Sequence, residues 1–325
     1  MKTRNGASLA MLLAVALVGC RDIEAIERVS LDDLDTTERA RIDLGQRLFF
    51  DPALSADGTV SCASCHLPSD GGDDGRRVGV GVAGQEGRRN APTVLNVGFK
   101  QHLFWDGRAE TLEEQALMPL FADDEMAADR STVEVYLAGD PLYPGMFAEA
   151  FPGMPPTIDL VAMAIASYER ALVAPSRVDA FLLGEEAALS ETEVRGMDYF
   201  RSNCAFCHDG PGVGGQRFAR LGEEVPFPRD RQDDQGLFER TGDEGDKMTF
   251  VIPQLRNVGR TAPYFHDGSV ETLEEAVELM ARHQLGEELD DKTIADVAAF
   301  LRALDGDVEP ALARDPFGDR GGTVR

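Results

Sequence analysis

Apolar residues recur at helical spacing in four stretches of the chain: 38–50, 158–172, 190–200 and 272–281. The third stretch begins with Ser190 and has Glu193 three residues later, which is the pattern of a helix capping box. Few segments alternate between apolar and polar residues as a half-buried strand does. The pattern therefore predicts a mainly helical protein, with Pro175 as a boundary after the second stretch.

The N-terminus has a different pattern. Lys2 and Arg4 precede a largely apolar segment, 8–19, which ends at Cys20. This order is typical of a secretory signal, and the segment is too short to span a bilayer. The last four residues, Leu-Val-Gly-Cys, resemble the processing box of bacterial lipoproteins. We therefore expect removal of residues 1–19 and export with a lipid on Cys20; a plain signal peptide cleaved elsewhere is the alternative.

Charge excludes one class of partner. The 325 residues include 58 acidic and 32 basic side chains, a net charge of −26. Loss of Lys2 and Arg4 with the signal leaves 30 basic residues and a net charge of −28. Such a chain repels phosphate backbones and anionic lipid surfaces, so we expect no nucleic acid partner and membrane contact only through the lipid anchor. The length and composition indicate a soluble globular protein of about two domains.

The other four cysteines form two C-x-x-C-H motifs. Each motif supplies two thiols and one imidazole: Cys62, Cys65 and His66 in the first, and Cys204, Cys207 and His208 in the second. One helical turn presents both thiols to the vinyl groups of a single haem, and the histidine reaches the iron from the same side. Two disulfides would leave both histidines unexplained, a four-cysteine zinc site would need closer pairs, and a thioredoxin-like pair would need a βαβ context. The motifs predict two covalently bound c-type haems.

The two halves of the chain are related by duplication. Residues 92–114 and 253–275 align without a gap and share 12 identities in 23 positions. The second half has 19 extra residues after its motif, within an acidic and glycine-rich stretch, 210–247, that we expect to be an exposed loop. The sequence thus predicts two mainly α, cytochrome c-like domains after a signal and a linker: 1–19 signal, 20–37 linker, 38–177 N-terminal domain and 178–325 C-terminal domain.

The duplication also distinguishes the two predicted haem sites. Met280 lies in a predicted helix of the second half, where a thioether opposite the motif histidine would give a closed haem of relatively high potential. A core methionine is the alternative for Met280 alone. The aligned residue in the first half is Pro119, which has no side-chain ligand. We therefore expect an open face on the N-terminal haem.

Six runs of residues resemble the bacterial di-haem cytochrome c peroxidase family, which includes the tryptophan-oxidising relatives of the MauG type. They are LFFDP at 48–52, CASCH at 62–66, NAPT at 90–93, FWDGR at 104–108, CAFCH at 204–208 and TAPYFHDG at 261–268. The resemblance implies two cytochrome c domains in the periplasm that reduce hydrogen peroxide to water. It implies electrons from a small periplasmic donor, a monohaem cytochrome c or a copper protein, and leaves a homodimer open.

The resemblance also implies roles for single residues. Met280 falls where the family places the distal methionine of the C-terminal haem, whereas the MauG type has a tyrosine. Glu125 and Gln115 fall at the distal positions that handle peroxide, although Glu125 in its acidic run would otherwise be interpreted as a solvated residue. Trp105, the only tryptophan, matches the residue between the two haems; an ordinary buried tryptophan is the alternative.

A calcium ion between the domains is implied in the same way. The family holds it with an amide oxygen and backbone carbonyls at the positions of Asn90, Thr261 and Pro263. Oxygen ligands of this kind suit calcium.

One position departs from the family pattern. Many members carry a histidine eight residues before the NAPT run, and it caps the N-terminal iron until reductive activation. Val82 stands there and cannot ligate a metal. We expect His102, His266 and His283 to be packing or surface residues, and we expect no need for activation. A non-catalytic di-haem electron carrier and a MauG-like oxidase of a partner protein remain as alternatives.

Overall fold

Helices dominate the computed structural model, which describes residues 22–228 and 233–318. The first half contains α1 Thr36–Phe49, α2 Leu112–Phe121, α3 Arg130–Gly139, α4 Tyr143–Ala150 and α5 Ile158–Ala171. The second half contains α6 Arg177–Leu182, α7 Glu191–Asn203, α8 Phe238–Thr241, α9 Leu273–Met280, α10 Asp291–Ala303 and α11 Pro310–Ala313. Two short antiparallel strands, β1 Phe218–Arg220 and β2 Thr249–Val251, pair with Ala219 opposite Phe250. The prediction of a mainly helical fold is confirmed.

The four predicted helices correspond to α1, α5, α7 and α9. Their N-termini are capped by side chains, and the predicted capping box is present: Ser190 Oγ accepts from the Glu193 backbone at 3.3 Å, and Glu193 Oε2 accepts from the Ser190 backbone at 2.8 Å. α9 ends at Met280 and continues as one π-helical turn, Ala281–Leu285. The predicted signal and Cys20 lie outside the described residues. No helix within 22–228 or 233–318 is long and apolar enough to cross a membrane.

Each half is built on one tightly packed helix pair, α1 with α5 and α7 with α10. A glycine lies at each crossing: Gly45 meets the Ala164 carbonyl, and Gly196 meets the Asp296 carbonyl, so closely that neither position has room for a Cβ atom. Apolar side chains from the two pairs fill two separate cores. The two halves therefore share the same kind of helix packing.

The duplicated segments meet face to face at the centre of the molecule. Asn96 Nδ2 donates to Asn257 Oδ1 at 3.1 Å, and these aligned residues are both buried. Both adopt the left-handed conformation, with φ of 61° and 65°. Their backbone N–H groups donate to equivalent carbonyls, those of Leu172 and Leu304. The aligned asparagines thus join the two halves about an approximate two-fold axis.

The first and last described segments each pack against the half that is distant from them in the sequence. Ile23 packs in the core of the second half, whereas Leu312 packs in the core of the first. The Tyr168 hydroxyl donates to the Leu312 carbonyl at 2.7 Å, which fixes the C-terminal segment on α5. The proposed division at 177/178 falls within α6, and the C-terminal residues of the second predicted domain contribute to the first core.

The expectation of an exposed loop over residues 210–247 is wrong for much of that stretch. It contains β1 and α8, and its Val213, Phe227 and Asp234 are buried. The carboxylate of Asp234 accepts two hydrogen bonds from the guanidinium group of Arg89 in the first half, at 2.5 and 2.9 Å. The acidic residues that suggested a solvated loop therefore include an ion-pair partner for the other half of the molecule.

Candidate functional site

Two cavities open in the molecule, and each is lined by one C-x-x-C-H motif. The N-terminal cavity, about 370 Å³, is lined by Cys62, Cys65 and His66, and the C-terminal cavity, about 270 Å³, by Cys204, Cys207 and His208. Each motif forms one turn, in which the histidine N–H donates to the carbonyl of the first cysteine at 3.0 Å and 2.9 Å respectively. Because the cysteine pairs lie in separate cavities, they do not form one four-cysteine site.

The protonation of these groups fits c-type haem attachment. All four cysteines are free thiols, and burial raises the pKa of Cys62 to about 12. Burial lowers the pKa of His66, and it lowers the pKa of His208 to about 4, so both imidazoles are neutral near pH 7. The Nδ1 atom of each histidine is buried, and no described residue gives it a hydrogen bond of standard distance and angle. Neutral imidazole is the form that binds iron.

Met280 gives the C-terminal cavity a possible second iron ligand. It is the last residue of α9, lines the same cavity as His208, and packs against the apolar cluster of Phe227, Met248 and Phe250. The cavity wall is mainly apolar and includes Phe200, Val277 and Leu301, with further apolar side chains of α7, α9 and α10. This cavity can therefore enclose an apolar group and offers it one thioether and one imidazole.

The N-terminal cavity has different groups in the corresponding places. Gln115 and Pro119 lie one turn apart on α2 and both line this cavity, so the helix presents an amide and a proline instead of a thioether. Glu125 lies just beyond the helix and lines it too. Burial raises the pKa of Glu125, and the charge of Asp124 adds to this while Arg108 opposes it. The cavity therefore holds a carboxyl group suited to proton transfer.

Val82 is held next to Glu125 by the backbone. Its N–H donates to the Glu125 carbonyl at 2.8 Å, and its side chain is buried. Gly81 lies so close to the Asp124 and Glu125 carbonyls that a Cβ atom would overlap them. The loop thus fixes the position of Glu125 and brings no imidazole into the cavity from residue 82.

One wall separates the two cavities and belongs to both. It contains Trp105, whose Nε1–H donates to the Asn90 carbonyl at 2.9 Å. Residues lining both cavities are Asn90, Ala91, Pro92, Thr93, Lys100, Phe104 and Trp105. Trp105 therefore lies where a side chain can contact groups in either cavity.

The three predicted calcium ligands all border the C-terminal cavity. Asn90, Thr261 and Pro263 all line the C-terminal cavity. Asn90 Nδ2 donates to the Arg76 carbonyl at 2.9 Å, which leaves the amide oxygen as the group to bind a cation. Within the described chain, no cluster of three or more His, Cys, Asp or Glu side chains could hold a metal ion. The calcium site stays a prediction.

The remaining histidines pack against aromatic rings. His283 stacks on Phe227 with ring centroids 4.1 Å apart, and its Nδ1 lies 2.7 Å from the Val225 carbonyl. His266 stacks on Phe250 at 4.3 Å, and His102 lies 4.6 Å from the Phe218 ring. These contacts agree with the interpretation of all three as packing residues.

Sequence reasoning missed three charged residues at the cavities. Arg89 binds Asp106 at 2.7 Å as well as Asp234, and it holds the Trp105 region to the second half. Lys100 lies in the shared wall, where burial lowers its pKa to about 8. Glu169 lines the N-terminal cavity and stood out only as an acidic residue in the apolar stretch 158–172.

Comparison with known proteins places the chain among relatives that match most of its length. A family model described as di-haem cytochrome c peroxidase matches residues 39–187. The chain is 41% identical to a cytochrome c551 peroxidase of Nitrosomonas europaea, over 88% of this chain and 84% of the relative. It is 40% identical to a cytochrome c551 peroxidase of Pseudomonas aeruginosa, over 81% of this chain and 78% of the relative.

A solved structure gives the same answer for the fold. The crystal structure of a MauG-like protein associated with microbial copper homeostasis superposes with a TM-score of 0.76, at 32% identity over 90% of this chain and 98% of that one. The chain therefore belongs to the di-haem cytochrome c peroxidase family.

Proposed function

We propose that the protein reduces hydrogen peroxide to water with electrons from a small periplasmic redox protein, a monohaem cytochrome c or a copper protein. One observation carries the proposal: two cavities with the same motif share the Trp105 wall but differ in the other side chains that line them. Met280 lines one, whereas Gln115, Pro119 and Glu125 line the other. One cavity thus suits electron storage and the other suits chemistry.

Each cavity would hold one covalent haem c. Cys62 and Cys65 would bond one group and Cys204 and Cys207 the other, within the proposed domains 38–177 and 178–325. His66, His208 and Met280 would ligate the irons. When bound, the haem supplies an iron at which peroxide accepts two electrons.

The side chains of the N-terminal cavity supply the proton chemistry. Glu125 would take the proton from one oxygen of peroxide and return it to the departing oxygen, because the pKa of Glu125, raised by burial, lies closer to neutral pH than that of an exposed carboxyl. Gln115 would orient the substrate by hydrogen bonding. Pro119 brings no ligating side chain to this cavity, and Trp105 would carry electrons between the cavities.

The buried Val82 supports a further part of the proposal, that the oxidised enzyme is ready to react without reductive activation. A stopped-flow comparison tests it, with peroxide mixed with the fully oxidised protein and with a half-reduced sample. Both samples should react. If only the half-reduced sample reacts, another side chain caps the N-terminal iron.

Steady-state turnover tests the activity itself. Peroxide and a reduced monohaem cytochrome should be consumed in a ratio of one to two, because peroxide takes two electrons and each monohaem donor gives one. A MauG-like oxidase would instead oxidise a candidate partner protein, and an electron carrier would do neither. Absence of peroxide turnover in protein that carries two haems by mass would overturn the proposal.

Location and calcium complete the proposal. We place the protein in the periplasm, attached to a membrane through lipidated Cys20, and a Cys20→Ala variant should leave the membrane fraction. One calcium ion would bind Asn90 through its amide oxygen, with the backbone carbonyls of Thr261 and Pro263. Equilibrium dialysis should find one bound calcium in the native protein and none in Asn90→Ala.

A further inference from the structure

We propose that Glu169 is the redox-linked proton site of the N-terminal haem: at alkaline pH, where its carboxyl is ionised in the oxidised protein, it binds one proton when that haem gains one electron. This inference rests on the proposed haem at His66. It adds a residue that the peroxide chemistry described above does not use.

The position of Glu169 is unusual for a carboxyl group. It lies near the end of α5, is 6% exposed, and lines the N-terminal cavity together with Cys62 and His66. Its Oε2 is buried and has no hydrogen-bond partner within residues 22–228 and 233–318. A buried carboxylate without a partner is costly, so the protonated carboxylic acid is favoured, and added negative charge in the cavity would favour it further.

The charged neighbours do not neutralise it. Arg170 follows it in the chain, but both terminal nitrogens of Arg170 are bound to Glu113 of α2, at 2.8 and 2.9 Å. Arg170 lowers the pKa of Glu169 and Glu113 raises it, while the dominant effect is burial, which raises the pKa to about 8. The other titratable neighbours are Cys62, which would be bonded to haem, and Tyr168, whose hydroxyl donates to a backbone carbonyl.

The second half of the molecule provides an internal comparison. Arg302 binds Glu274 as Arg170 binds Glu113, so α10 matches α5 at an offset of 132 residues. Glu169 therefore corresponds to Leu301, which is buried and lines the C-terminal cavity. Only the cavity with the proposed peroxide chemistry has a carboxyl at this position.

Charge balance explains the pairing of proton and electron. An electron from the donor protein adds one negative charge to a cavity of low polarity, where uncompensated charge is costly. If the Glu169 carboxylate then takes one proton from solvent and becomes a carboxylic acid, the net charge of the cavity does not change. Reduction of peroxide to two waters consumes two protons with two electrons, so a proton held here also lies near its point of use.

The sign of the pH dependence follows from the raised pKa. Below about pH 8 the carboxyl is protonated in both redox states, and the potential of the N-terminal haem is independent of pH. Above that pH each electron brings a proton, so the reduction equilibrium falls tenfold per pH unit, about 59 mV for one electron. The fall ends at the still higher pKa of the reduced state.

Spectroelectrochemical titration of the holoenzyme on both sides of pH 8 tests the proposal, with the two haems followed separately. The wild-type N-terminal haem should show the slope and the C-terminal haem should not. Glu169→Gln should abolish the slope, and so should Glu169→Leu, which copies the residue of the other half. Infrared difference spectra should lose a carboxyl band in Glu169→Gln, which a purely structural role would not predict.

Two outcomes would overturn the proposal: an unchanged slope in Glu169→Gln, or the same slope at both haems. Intact mass of every variant separates this result from the proposed function. Protein without haem at Cys62 and Cys65 contradicts the function, whereas two haems with an unchanged slope contradict only the role of Glu169.

Discussion

Neighbouring carboxyl groups in one acidic run have different environments. Asp123 and Asp124 are exposed, whereas Glu125 is partly buried and lines the N-terminal cavity. Burial raises the pKa of Glu125, with a smaller contribution from Asp124. Since a general acid–base group works best when its pKa is near the working pH, the raised pKa of Glu125 suits it to this reaction.

Replacing Glu125 by glutamine should therefore lower peroxide turnover by about a hundredfold or more, because glutamine cannot transfer the proton. Steady-state kinetics with a reduced monohaem cytochrome measures the effect. Asp123→Asn is the matched control and should change turnover little, since its carboxylate is exposed and does not line the N-terminal cavity. Wild-type turnover in Glu125→Gln protein with two haems would show that another group moves the proton.

Met280 should set the potential of the C-terminal haem. Met280→Ala should remove the methionine-to-iron charge-transfer band and lower that potential, because a thioether ligand favours the ferrous state. Met280→His should keep a six-coordinate, low-spin iron but also lower the potential. An unchanged spectrum in Met280→Ala would mean that Met280 is only a packing residue.

The residue-scale chemistry was only partly predictable from sequence. The C-x-x-C-H spacing predicts the haem sites because the motif is local, and the structure places both motifs on cavities. Glu169 could not be assigned to a cavity in this way. Its importance comes from α5 packing beside the first motif, a contact between residues about a hundred positions apart in the chain.

At the scale of elements, two helix crossings position the walls of the cavities. Gly45 and Gly196 allow α1 and α7 to contact the backbones of α5 and α10. α5 carries Glu169 and α10 carries Leu301, so the close approach brings these side chains to the cavities. The glycines are therefore needed for the spacing between helices.

Gly196→Ala should destabilise the protein by about 1–3 kcal/mol, because the added methyl group overlaps the Asp296 carbonyl and forces the helices apart. Gly145→Ala is the control. Gly145 lies within α4 with open space around it, and alanine there should stabilise by about 0.4–1 kcal/mol. Urea unfolding measures both, and a neutral Gly196→Ala would contradict the packing argument.

The sequence pattern predicts the helices, but it does not predict the structure of the inserted stretch. Periodicity and caps predict α1, α5, α7 and α9 because these signals act within a few residues. The stretch 210–247 has the composition of a solvated loop, yet its fold depends on Arg89 of the first half, which binds Asp234. Composition cannot reveal a partner that lies elsewhere in the sequence.

At the scale of the whole molecule, a buried ion pair fastens the N-terminal segment to the second half. Arg256 is fully buried and binds Asp179 through both terminal nitrogens, at 2.9 and 2.8 Å. Arg256 also donates to the Glu24 carbonyl at 2.8 Å, and Asp179 accepts from the Ile26 backbone at 2.8 Å. The pair thus connects three separate parts of the chain.

Arg256→Met should lower the free energy of unfolding by about 3–5 kcal/mol, because it leaves the Asp179 charge buried without its ion-pair partner. Arg260→Met is the matched control: Arg260 pairs with the exposed Asp307, and its loss should cost about 1 kcal/mol or less. Urea unfolding of the holoprotein compares them. Equal effects would mean that burial does not determine the strength of these pairs.

The sequence does not predict how the two halves are arranged relative to each other. The duplication is visible in the alignment of 92–114 with 253–275, but the alignment does not say that Asn96 and Asn257 bond to each other. Nor does it predict that Ile23 packs in the core of the second half and Leu312 in the core of the first. Both features depend on contacts between the halves, for which neither local pattern nor composition carries a signal.

The central claim is that one haem is closed by Met280 and the other is open beside Glu125. The most direct test is the electron paramagnetic resonance spectrum of the fully oxidised protein as isolated, because it counts high-spin and low-spin ferric haems. The account predicts one low-spin signal from the C-terminal haem and one high-spin signal of equal integrated intensity from the N-terminal haem. Two low-spin signals would contradict it, since they would mean that a side chain closes the N-terminal iron as well.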